Sequence, residues 1–86
     1  MKRDLMGVRI EKIPDGELTV IQVSGELRGW AVIELEQLCR ETPGSLSLDL
    51  SNLRSAEAGG VQLIRELAAR GVKLSGVTPY LRLLLK

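Results

Sequence analysis

The side chains of this 86-residue chain that could do chemistry gather between positions 49 and 60. They are Asp49, Ser51, Asn52, Ser55 and Glu57, followed by Ala58, Gly59 and Gly60. Carboxylates, a carboxamide and hydroxyls suit recognition, since they hold a partner's polar groups and a serine can carry a phosphate. They do not suit catalysis. Asp49, Glu57 and Glu66 are the acids near the loop, and no nucleophile–base pair accompanies them. The chain has no histidine, which removes imidazole acid–base chemistry and imidazole metal ligation. Cys39 is the single cysteine, so there is no internal disulfide and no cysteine metal cluster. Nothing near it in sequence would lower its pKa, and it reads as a small core residue. The expectation is a protein that is not an enzyme and uses no metal or cofactor.

These residues need a frame. Leu46, Leu48 and Leu50 alternate with Ser47, Asp49 and Ser51, the period of a strand. Residues 51–57 then read as a small polar loop. From Val61 the spacing turns helical, with Val61, Ile64, Leu67 and Ala68 on one stripe. A helix entered through two glycines after such a loop offers the unpaired N–H groups of its first turn. Its dipole favours negative charge there, so an anion, a phosphorylated side chain or a partner's acidic group could be received. The plainer reading is that Gly59 and Gly60 only let the helix pack close to the sheet.

Taken in order, residues 1–6 read as a flexible end. Val8 and Ile10 alternate with Arg9 and Glu11 in a first, edge-like strand over residues 7–13. Pro14-Asp15-Gly16 is turn chemistry, and residues 18–23 form a second strand that closes a hairpin. Residues 29–41 follow as an amphipathic helix whose apolar members are Trp30, Ile33, Leu35, Leu38 and Cys39. Trp30 reads as a lid over the core edge, with a partner-facing anchor as the other option. Thr42-Pro43-Gly44 stops this helix, and the strand at 45–50 comes next.

A second helix spans about 58–70, with Glu66 in reach of Arg70 and Gly71 as its cap. Residues 72–74 make a short strand. Thr78 precedes Pro79 as an N-cap, and 80–85 form a last short helix. That helix leaves Leu81, Leu84 and Leu85 thinly covered, so a monomer or weak homodimer is expected. The order β-β-α-β-α-β-α predicts one α/β domain over residues 7–86. Its four-stranded sheet is mostly parallel, with an antiparallel first strand.

Twelve basic against eleven acidic side chains give a net charge of +1, without the concentrated basic excess of a nucleic-acid binder. Trp30 and Tyr80 are the only aromatics, too few for a base-stacking platform. No apolar stretch is long enough to span a bilayer and no signal-peptide run follows Met1, so direct membrane insertion is not expected and a cytoplasmic location is.

Three segments together resemble the STAS domains of bacterial anti-sigma-factor antagonists. Val23-Ser24-Gly25-Glu26-Leu27 is similar to that family's Gly-Glu-Leu/Ile-Asp run. Leu48-Asp49-Leu50-Ser51-Asn52-Leu53 resembles its Leu-Asp-Leu-Ser-Gly-Val strand end, and residues 71–79 its Gly-x-x-Leu-x-Leu-x-Gly-Val-x-Pro segment. The resemblance implies a STAS-like fold and an interaction module whose partner is an anti-sigma factor or related serine kinase. It also implies that residues 49, 51, 52, 55 and 57–60 face that partner. The departure is at the loop. Where the family carries Asp-Ser-Ser/Thr-Gly, this chain has Glu57-Ala58-Gly59-Gly60, so a methyl group replaces the phosphoacceptor; Arg28 stands where Asp is common. Regulation independent of phosphorylation at Ala58 is the expectation. Two alternatives stay open: an accessory STAS subunit bound to the ATPase of a lipid or anion transport system, and a small anion- or nucleotide-binding domain. No Walker-type lysine or GxGxxG run accompanies the glycines.

Overall fold

The computed structural model describes the backbone of residues 2–5 and all of residues 7–86. Strands β1 (Lys2–Leu5), β2 (Val8–Asp15) and β3 (Leu18–Leu27) come first, followed by helix α1 (Trp30–Glu41). Strands β4 (Ser45–Asp49) and β5 (Leu53–Ala56) lead into α2 (Ala58–Ala69), and β6 (Lys73–Ser75) and α3 (Pro79–Leu85) follow. One α/β sheet runs β1-β2-β3-β4-β6, with β5 also paired to β3. The β1–β2 and β2–β3 pairs are antiparallel, while β4 and β5 on β3, and β6 on β4, are parallel. The hairpin and the parallel β-α units therefore stand as the sequence predicts.

Two strands were not legible. Residues 2–5 pair with β2 rather than forming a loose end. The stretch read as a polar loop contains β5, so the sheet has six strands instead of four. The chain breaks at the turn after β4, where the Leu53 N–H donates to the Leu50 carbonyl. It then resumes along the same edge of β3, opposite Gly25–Leu27. Thus β4 and β5 lie end to end on one neighbour.

The core is aliphatic. Ile10, Ile21, Val23, Leu27 and Leu48 from the sheet and Leu50 from the bend after β4 meet Leu35, Ile64 and Leu81 from the helices, all fully buried. On α1 the buried stripe is Ala31, Leu35, Leu38 and Cys39, the i, i+4, i+7, i+8 set of one helical face. Trp30 and Ile33 sit off that stripe and are exposed, Trp30 by 78%. The indole does not lid the core. Burial pushes the Cys39 thiol up to about 11, with Arg70 offsetting part of the rise, in keeping with an inert core residue.

α2 ends as its glycine predicts. Gly71, at φ 99°, donates to the Ala68 carbonyl and Val72 to that of Leu67, the paired bonds of a Schellman motif. Thr78 caps α3, its Oγ1 accepting from the Leu81 N–H at 3.3 Å. The final leucines are better covered than expected: Leu81 is fully buried, and Leu84 and Leu85 pack against the core. Leu83 is the exposed one. Arg65 is more than a solubilising charge, because its guanidinium donates to the carbonyls of Leu84 (2.7 Å) and Lys86 (2.6 Å). Glu66 accepts from Gln62 Nε2 at 3.3 Å, so the expected reach to Arg70 is not the contact made.

Candidate functional site

The eight residues singled out by sequence fall into two neighbourhoods. The first is the bend after β4. Asp49 Oδ1 accepts from the Ser51 N–H (3.0 Å) and hydroxyl (2.6 Å), while Oδ2 accepts from Gln22 Nε2 at 3.2 Å. Hydrogen bonds from the Ser51 hydroxyl and N–H, aided by Gln22, hold the Asp49 carboxyl below the ordinary carboxylate range. The Asn52 carbonyl accepts from the Gly25 N–H, and the Leu50 N–H donates to Ser75. Gly76 packs against the same bend: at φ 66°, a Cβ placed there would lie 2.6 Å from Ser51 Cβ and 2.7 Å from its nitrogen. Asp49 and Ser51 are thus occupied in closing the chain on itself, although Ser51 and Asn52 remain exposed.

The second neighbourhood is the start of α2. Ser55 is half-buried in β5, and Glu57 is the N-cap, its N–H donating to the Leu27 carbonyl at 3.0 Å. The Glu57 side chain does not cap its own helix. Its Oε1 accepts instead from the Gly29 N–H (2.8 Å), clasping the entry of α1. Ala58 and Gly59 are exposed, whereas Gly60 is buried. A Cβ at Gly60 would come within 3.0 Å of the Leu27 side chain and carbonyl, but one at Gly59 would meet nothing nearer than Glu57 Oε1 at 3.8 Å. The close-packing reading therefore holds for Gly60 and not for Gly59.

Next to Ala58 lies a surface that the sequence pointed to only as an option. An open hollow of about 590 Å³ is bounded by Val8, Ala31, Trp30, Arg28 and the carboxylates of Glu34 and Glu57. Arg28 pairs with Glu26 at 3.4 Å. The signal for an outward Trp30 was available: counting the α1 stripe from Ala31 leaves the indole outside it. The Glu57–Gly29 bond, spanning 28 positions, had no local signal. Among the described residues no group of three or more His, Cys, Asp or Glu side chains could hold a metal ion, and no helix is long and apolar enough to cross a membrane.

No family model matches the chain, and no curated protein matches it. A solved structure does. The crystal structure of an anti-sigma-factor antagonist STAS domain from Rhodobacter sphaeroides aligns with 81% of this chain and 85% of its own, at a TM-score of 0.56 and 22% identity. The chain has the STAS fold. Within that fold, the bend at residues 49–52 and the start of α2 both lie beyond the end of a parallel strand. Strand-end crevices of open α/β sheets are where binding groups collect.

Proposed function

We propose that this chain is a non-enzymatic STAS-type interaction module of the cytoplasm that docks a protein partner through the start of α2 and the adjoining face of α1. The partner class that fits is an anti-sigma factor or related serine kinase. Ala58 carries the reading: it is exposed at the first position of α2, where a serine would put its hydroxyl in front of unpaired N–H groups. A methyl group accepts no phosphate, so docking is not switched off there by the negative charge that phosphorylation adds. Exposed Trp30, beside Glu57, supplies the large amphipathic side chain that anchors such interfaces. Asp49, Ser51, Asn52 and Ser55 contribute by holding the surface in shape.

The test mixes the natural chain and an Ala58→Ser variant with candidate anti-sigma kinases and ATP. The expected outcome is that the natural chain binds and takes up no phosphate, while the serine variant is phosphorylated and then released. Failure of both forms to bind any such kinase would end this reading and direct the search to transporter ATPase subunits.

A further inference from the structure

The other end of the sheet carries a second hollow, away from the start of α2. It opens beside the start of β3, between the α1–β4 turn at Gly44 and the α2–β6 turn at Gly71, with a volume of about 540 Å³. Leu18, Leu46 and Val72, all half-buried, give it an apolar floor. Arg70, Lys73 and Ser45 stand at its wall, opposed by Glu17.

Each cation alone has a plain explanation. Arg70 complements the C-terminal dipole of α2, and a lysine on the edge strand β6 discourages strand addition. Neither accounts for their meeting over one apolar-floored hollow with no ion-pair partner among the described residues. The helix end beside them carries the negative pole of the α2 dipole, which works against an anion. The N–H groups of Arg70, Gly71 and Val72 engage the carbonyls of Glu66, Leu67 and Ala68 there, so the two cations are the groups that attract one. The volume falls within the range of small-molecule sites.

We propose that this hollow binds a phosphomonoester with a small apolar body. The planar guanidinium of Arg70 suits two phosphate oxygens, and the Lys73 ammonium supplies a point charge for the second negative charge. Ser45 Oγ donates a further hydrogen bond, and the apolar body lies on Leu18, Leu46 and Val72. Glu17 opposes the anion and weakens the site. This inference is independent of the docking face proposed above.

The experiment is a backbone amide NMR titration of the full chain with phenyl phosphate, repeated with inorganic phosphate. Shift changes are expected at residues 44–46 and 70–73, with phenyl phosphate the tighter of the two. Arg70→Gln and Lys73→Gln should each weaken phenyl phosphate by about ten-fold, the scale of one charge-assisted hydrogen bond. Glu17→Gln should tighten it by a few-fold, an effect that general damage to the fold would not produce. Unperturbed spectra, shifts at residues 57–60 instead, or affinities unchanged in Arg70→Gln and Glu17→Gln would each overturn the proposal. An unchanged amide spectrum of the free variants establishes that the fold survives.

Discussion

The bend at residues 49–52 and the start of α2 at residues 57–59 are both short segments that follow a parallel strand, but the fold uses them differently. In the bend every polar atom of the Asp49 carboxylate is spent on Ser51 and Gln22, with Gly76 pressed against it. At the start of α2, Ala58 and Gly59 face outward, and the acid of the N-cap is lent to the neighbouring helix. The difference teaches that polarity alone does not mark a docking surface. In the proposed docking face the outward residues are the ones that the fold's own bonds leave unused.

The largest test of this contrast is Gly76→Ala. The new methyl group would overlap the Ser51 backbone at a φ of 66°, so we expect a loss of roughly 2–4 kcal/mol in denaturant unfolding. A loss well under 1 kcal/mol would mean that the bend yields and is not the closed knot described above.

Asp49→Asn comes next. Losing the charge-assisted bonds should cost about 1–2 kcal/mol at neutral pH. Because the folded carboxyl titrates below the unfolded one, its contribution is complete above about pH 5. It is lost as pH falls past the unfolded value of about 3.9 and through the folded one. The gap between wild type and variant should therefore close in acid, and a pH-independent gap would show that Asp49 acts by shape alone.

The smallest effect has the opposite sign. Gly59→Ala places a methyl group at ordinary contact distance from Glu57 Oε1, in the first turn of a helix, and should stabilise the chain by about 0.5–1 kcal/mol. If Gly59→Ala instead destabilised like Gly76→Ala, the two regions would be equally packed and the contrast would collapse.

Where the pattern was local, it was readable. The leucine alternation of β4, the change of period into α2, the glycine that ends that helix and the Thr78-Pro79 start of α3 all appear as read. The misses share a cause. β5 reads Leu-Arg-Ser-Ala, with no alternation of its own, and is a strand only because β3 runs long enough to pair with it. Residues 2–5 likewise take their conformation from β2. Trp30, apolar and at a helix start, reads as a lid over the core edge, yet the face that buries is set by packing against the sheet and leaves the indole exposed. The Glu57 clasp on Gly29 is a tertiary contact with no trace in either segment.

The Arg65 bonds to the end of α3 bear on how the molecule opens. A seven-residue helix cannot sustain itself in water, so the α3 amides are protected only as far as Leu81 and Arg65 hold it against α2. Hydrogen exchange in α3 would then report detachment of the whole segment rather than fraying from one end. Each such excursion lifts Leu81 out of its socket and briefly bares the apolar flank of α2.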